Sequence, residues 1–92
     1  MDSKETFYFI GINGIGMSGL AEMLVSKGLS VSGSDTSSSL NIEKFNLLGI
    51  TVHKEHSKHN IESEMTIIYS SAISEENEEL VTAKALGCKC IK

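Results

Sequence analysis

Nine residues near the start of this chain, Gly11-Ile12-Asn13-Gly14-Ile15-Gly16-Met17-Ser18-Gly19, follow directly on the apolar run Phe7-Tyr8-Phe9-Ile10. The run suits a buried strand, and the residues from Met17 to Lys27 suit a helix. Gly14-x-Gly16-x-x-Gly19 between them is a complete strand–turn–helix glycine fingerprint. The first turn of a helix has backbone N–H groups without partners and a partial positive charge, so an anionic oxygen fits there. The glycines let the chain turn tightly and let a phosphate approach the backbone. On this reading a diphosphate sits against the turn. Valine at Gly16 is then expected to block it while leaving the fold largely intact.

Further along, strands and helices alternate. A short strand is expected from Leu29 to Gly33, after a helix stop at Gly28. Ser37-Ser38-Ser39 reads as loop and helix cap, before a second helix from about Leu40 to Leu48 that stops at Gly49. Ile50 to His53 reads as a third strand. Lys54 to Glu64 reads as polar loop with a helical turn around His59-Asn60-Ile61, and Met65 to Tyr69 as a buried fourth strand. Ser74 is expected to cap a third helix, with Glu75 and Glu76 in its first turn and a stop at Gly87. Cys88 to Ile91 reads as a fifth strand. The order β-α-β-α-β-β-α-β predicts an α/β fold: a Rossmann-like, open, mostly parallel five-stranded sheet with helices on both faces, in one domain spanning residues 1–92.

Composition narrows the function classes. The formal charge of −4 over 92 residues leaves no basic face to displace counterions, so nucleic acid is not an expected partner. No apolar stretch approaches the roughly 20 residues needed to span a bilayer. Met1-Asp2-Ser3-Lys4-Glu5 is polar and mixed in sign, unlike a secretory leader, so a cytoplasmic location and no membrane partner are expected. Cys88 and Cys90 are expected to point to opposite faces of the last strand and to remain reduced. With so few ligands, no metal is expected there.

Ligands of open parallel sheets lie beyond the carboxyl ends of the strands. Asp35 follows the second strand, 21 positions after Gly14, where an acid can accept hydrogen bonds from a ribose. It can equally begin an Asx-turn. Ser70-Ser71-Ala72 follows the fourth strand and offers small hydroxyl groups to a ligand, or simply makes a loop. His53, His56 and His59 are spaced by three, which raises a zinc reading. A lone His56 in the crevice is the alternative, and solvated loop histidines a third. Glu75-Glu76-Asn77-Glu78-Glu79 reads as a solvated helix start. There is no G-x-x-x-x-G-K-[ST] loop, so ATP held in the P-loop manner is not expected in this chain.

Five segments together resemble the N-terminal domain of the Mur ligases, and most of all of their alanine-adding members. The first runs from Phe9 to Glu22 and is similar to the family's G-I-G-G-x-G-M-S-G-I-A-E. Val31-Ser32-Gly33-Ser34-Asp35 is like V-x-G-S-D, and Leu48-Gly49-Ile50-Thr51-Val52 is like L-G-x-x-V. His56-Ser57-Lys58-His59-Asn60-Ile61 is like G-H-x-x-x-N-[IV]. Ser70-Ser71-Ala72-Ile73, followed by Asn77, is like S-S-A-I-x-x-x-N-P-E. Asn13 and Glu55 stand where the family has glycine, and Glu78 stands where it has proline.

The resemblance implies a domain that holds the UDP part of UDP-N-acetylmuramic acid, in an ATP-dependent, amide-forming ligase of peptidoglycan synthesis. Asn13, Gly14, Ile15, Gly16, Met17 and Ser18 would face the diphosphate. Asp35, His56, Ser70, Ser71 and Ala72 would line the uridine and sugar side. ATP and Mg²⁺ would be held by a central domain, and a C-terminal domain would help bind the amino acid. The resemblance therefore implies an excised N-terminal domain with no catalytic residues, metal or cofactor of its own. A murein-tripeptide recycling ligase shares the N-terminal motif, and a regulatory dinucleotide-sensing domain is a reading of a different class.

Overall fold

The computed structural model describes residues 5–92. Met1 to Lys4, read above as part of a polar start, lie outside the described residues. The elements follow in the order β1 (Thr6–Ile10), α1 (Met17–Ser26), β2 (Ser30–Ser34), α2 (Ile42–Leu47), β3 (Thr51–His53), a 3₁₀ turn (Lys58–Asn60), β4 (Met65–Tyr69), α3 (Glu78–Ala85) and β5 (Lys89–Ile91). The sheet order is β3-β2-β1-β4-β5, and every pairing is parallel. Ile10 pairs with Ser34 on one side and with Tyr69 on the other, so β1, β2 and β4 end level with one another.

The two central strands are covered on both faces, which is why they read as unbroken apolar runs. Phe9 and Ile68 point to the face packed by Ala21 of α1 and Phe45 of α2. Tyr8, Ile10, Ile67 and Tyr69 point to the opposite face, against Ile61 and against Leu80 and Ala83 of α3. Each such large apolar side chain contributes about 1.5–3 kcal/mol when fully buried. On β2, a Cβ on Gly33 would stand 2.6 Å from the Phe9 carbonyl oxygen, so that strand can lie this close to β1 only with glycine there.

Three expectations about the elements are corrected. α3 begins at Glu78, not at Ser74. The Asn77 side chain accepts from the amides of Glu79 and Leu80 and makes the cap, whereas the Ser74 hydroxyl closes a separate turn by accepting from the Glu76 amide. α2 is capped by Asn41, which accepts from the Lys44 amide, rather than by the serines before it. Ser37 Oγ instead accepts from the Ser39 amide. Finally, Cys88 and Cys90 both pack against the Tyr8–Leu80 face. Residues two apart on a strand share a face, so the expectation that they point apart fails on strand periodicity alone. Burial pushes both thiols above their ordinary pKa, which makes them poor nucleophiles.

Candidate functional site

β1 lies between β2 and β4, and the chain leaves it in one direction through α1 and re-enters on the other side at β4. A crevice at such a switch point opens beyond the carboxyl ends of the strands. The glycine loop leaves from β1 and the Ser70 turn leaves from β4, side by side. Ile73 Cδ1 lies 3.1 Å from where a Cβ on Gly11 would stand.

The glycine loop is tied down at its base. The amides of Gly11 and Ile12 donate to the Ser34 carbonyl at 2.8 and 3.0 Å, and the Asn13 amide donates to Asp35 Oδ2 at 2.9 Å. The Gly14 amide donates to the Gly11 carbonyl and the Met17 amide to the Gly14 carbonyl. The amides of Ile15, Gly16, Ser18 and Gly19 donate to no atom among the described residues. They surround the start of α1, whose N-cap is Gly16, with no side-chain cap and no acidic residue in the first turn. Helix geometry aims such amides outward along the axis, with the positive end of the helix dipole behind them. Ile15 stands fully exposed at the tip of the loop.

Gly16 has φ 81°, in the left-handed region. A Cβ there would meet nothing within 4 Å, yet a β-branched residue would hold this backbone only under strain of about 1–3 kcal/mol. Valine at Gly16 is therefore not neutral to the fold, contrary to the sequence expectation.

Asp35 is buried, and its Oδ1 accepts from the Ser37 amide at 2.7 Å, which is the Asx-turn reading. With Oδ2 on the Asn13 amide, the same carboxylate fastens the glycine loop to the end of β2. It also borders a cavity of about 610 Å³ lined by Thr36 to Ser38, Leu40 to Glu43 and Lys54. Lys54 directly follows β3, within the strand-end stretch from His53 to His56 where a ligand of such a sheet is expected. Ser70 folds its own turn, with its hydroxyl accepting from the Ala72 amide at 3.2 Å, and leaves Ser71 and Ala72 exposed. Of the predicted residues only Asp35 lines this cavity; the glycine loop, His56 and Ser70 to Ala72 do not, so the structure does not gather them in one enclosed pocket.

His56 is held from below. Its Nδ1 lies 2.7 Å from Ser34 Oγ and 3.2 Å from Glu79 Oε1, with the ring about one-fifth exposed. Glu79 is the residue that the sequence reading missed. The acidic run reads from sequence as a solvated helix start, but Glu79 is completely buried. Its Oε2 accepts from the Tyr8 hydroxyl at 2.6 Å, from Asn60 Nδ2 at 2.8 Å and from the Ser57 amide at 3.2 Å. Its Oε1 accepts from Ser34 Oγ. Burial, and then the neighbouring Glu79, push the Tyr8 phenol far above its ordinary pKa. The available signal was the closing glutamate of the N-P-E-like stretch, which stands at Glu79.

The other histidines separate. His53 stacks on Tyr8 with ring centroids 6.4 Å apart, and His59 lies in the 3₁₀ turn. Among the described residues no three His, Cys, Asp or Glu side chains gather as a metal site. No helix among the described residues is long and apolar enough to cross a membrane.

Residues 6–92 match a family model described as the Mur ligase family, catalytic domain. The chain is 48% identical over 85 residues to a UDP-N-acetylmuramate–L-alanine ligase of Protochlamydia amoebophila, covering 92% of this chain and 19% of that protein. It is 44% identical over 90 residues to the enzyme of the same name in Fusobacterium nucleatum, covering 98% and 19%. The chain thus spans about a fifth of the length of these relatives. A crystal structure of UDP-N-acetylmuramate-alanine ligase from Thermotoga maritima superposes with a TM-score of 0.85 at 30% identity, covering 94% of this chain and 20% of that one. A ligase from Neisseria meningitides acting on UDP-N-acetylmuramate and L-alanyl-γ-D-glutamyl-meso-diaminopimelate superposes at 0.83 with 22% identity, covering 97% and 28%, a likeness of fold. With residues 6–92 of 92 matched by the family model, and the glycine loop, sheet order and strand-end turns in place, this chain belongs to the Mur ligase family.

Proposed function

We propose that this chain is the N-terminal domain of an ATP-dependent ligase that adds L-alanine to UDP-N-acetylmuramate in peptidoglycan synthesis, and that it holds the UDP moiety. The observation that carries this reading is the uncapped start of α1, where the amides of Ile15, Gly16, Ser18 and Gly19 have no partner among the described residues. A diphosphate supplies the acceptors and the negative charge that such a helix end lacks. Asn13, Gly14 and Met17 shape the loop, because their own amides are engaged within the protein. Asp35 borders the large cavity with acceptor capacity remaining on both oxygens, and Lys54 faces the same space. A uridine ribose and base fit there. His56, Ser70, Ser71 and Ala72 line the uridine and sugar side of the crevice.

On this reading the domain binds and orients the substrate, and the amide bond is formed with groups of further domains. ATP and Mg²⁺ belong to further domains of such an enzyme, where they activate the muramic acid carboxylate. The glycine loop here has no lysine to reach an ATP phosphate, so it does not fit the P-loop manner of holding ATP. These further domains are its expected partners, and the cytoplasm its expected location.

Calorimetry on the 92-residue chain tests the reading. UDP and UDP-N-acetylmuramic acid are expected to bind, with NAD and ATP weaker. NAD binding more tightly than the UDP compounds would overturn it in favour of a dinucleotide sensor.

A further inference from the structure

We infer that Glu79 is a positioning residue that fixes His56 with its proton on Nδ1 and presents the Nε2 lone pair to the ligand crevice. The argument rests on counting protons. Oε2 of Glu79 receives three donors, from Tyr8, Asn60 and Ser57. Oε1 receives the hydroxyl of Ser34. Ser34 has one hydroxyl proton, and donation to Glu79 leaves its oxygen able only to accept. His56 Nδ1, 2.7 Å from that oxygen and 3.2 Å from Glu79 Oε1, then faces acceptors alone, so it must carry a proton. In the neutral ring Nε2 is an acceptor.

Nε2 has no protein partner among the described residues, and no unpaired side-chain nitrogen or oxygen among them is buried. Nε2 is therefore open to solvent. The ring lies against the carboxyl end of β2, one residue before Asp35. A neutral ring held this way accepts from a hydroxyl or N–H donor and does not donate to a phosphate. Resting on the function proposed above, this assigns His56 to a sugar hydroxyl or to the uracil N–H, and leaves the diphosphate to the α1 amides.

Long-range ¹H–¹⁵N NMR of the free chain in mildly alkaline buffer reads the ring directly. A pyrrole-like Nδ1 and a pyridine-like Nε2 are expected. The opposite tautomer would show that the relay runs from a protonated Glu79 through Ser34 to His56, and would overturn the inference whether or not UDP binds. In Glu79→Gln the Nδ1-protonated population is expected to fall and UDP affinity to drop about fivefold, the effect of one misdirected hydrogen bond. An unchanged tautomer would overturn the role of Glu79. Should that variant not fold, Ser34→Ala leaves the Glu79 carboxylate as the acceptor facing Nδ1, so the Nδ1-protonated form is expected to persist, and its loss would overturn the role of Glu79. Failure of UDP to bind the wild-type chain would sink the proposed function alone, because the tautomer is read without ligand. UDP binding that leaves the Nε2 signal unmoved would refute the contact to His56.

Discussion

α1 follows β1 and α3 follows β4, on neighbouring parallel strands, and both helices begin at the same edge of the sheet. Their first turns are finished in opposite ways. α3 starts at Asn77, whose side chain accepts from two amides, and carries Glu78 and Glu79 in its first turn. Glu78 accepts from the Lys58 amide, and Glu79 gathers Tyr8, Ser34, Ser57 and Asn60. The positive end of α3 is thus matched by the protein's own acids. α1 starts at a glycine, with no cap and no acid. One helix start is closed and organises the loops around it. The other is left electrostatically incomplete, and on the proposed function a ligand anion completes it.

The largest expected effect breaks the closed end. Glu79→Ala strands four donors in a buried space, and the loss is expected to be about 3–5 kcal/mol in urea unfolding, on the scale of breaking a buried charged network. A loss under about 1 kcal/mol would mean that the cluster is not structural. The next experiment closes the open end. Ser18→Asp places a carboxylate in the first turn of α1 and is expected to raise stability by about 0.3–1 kcal/mol. UDP affinity should fall tenfold or more, about 1.4 kcal/mol. A variant that is more stable and binds UDP normally would separate the amides from the ligand.

Removing the cap of the closed end is smaller still. Asn77→Ala is expected to cost about 1 kcal/mol while UDP affinity stays at the wild-type value. The last effect is absent at neutral pH. The folded Tyr8 phenol has a raised pKa, so the unfolded chain loses this proton first as the pH climbs. The neutral phenol's contribution is fully present below the unfolded value of about 10 and is lost above it, with a slope approaching about 1.4 kcal/mol per pH unit. Tyr8→Phe should flatten that alkaline limb in unfolding measured across pH.

What could be read from the sequence was local. The bounds of β4, Met65–Tyr69, coincide with the apolar run that predicted them, and the helices stop at Gly28, Gly49 and Gly87 as expected. The glycine fingerprint placed the α1 turn because its signal lies within nine neighbouring residues. Glu79 was legible only through the family motif that closes on it, and not from its own surroundings, for the opposite reason. Its partners Tyr8, Ser34 and Ser57 lie 71, 45 and 22 positions away, and charge pattern alone does not distinguish it from Glu75, which pairs with Lys84 on the surface. Asp35 shows a further limit. An Asx-turn and a ribose contact are alternatives in the sequence, yet the carboxylate that closes the turn also borders a cavity, so the turn does not exclude the contact.

The most direct test follows the backbone amide signals of the chain by ¹H–¹⁵N NMR while UDP is added. The amides of Ile15, Gly16, Ser18 and Gly19 are expected to shift together and most strongly, while those of Glu78, Glu79 and Leu80 stay in place. Shifts centred on the start of α3, or a glycine loop untouched by saturating UDP, would contradict the account.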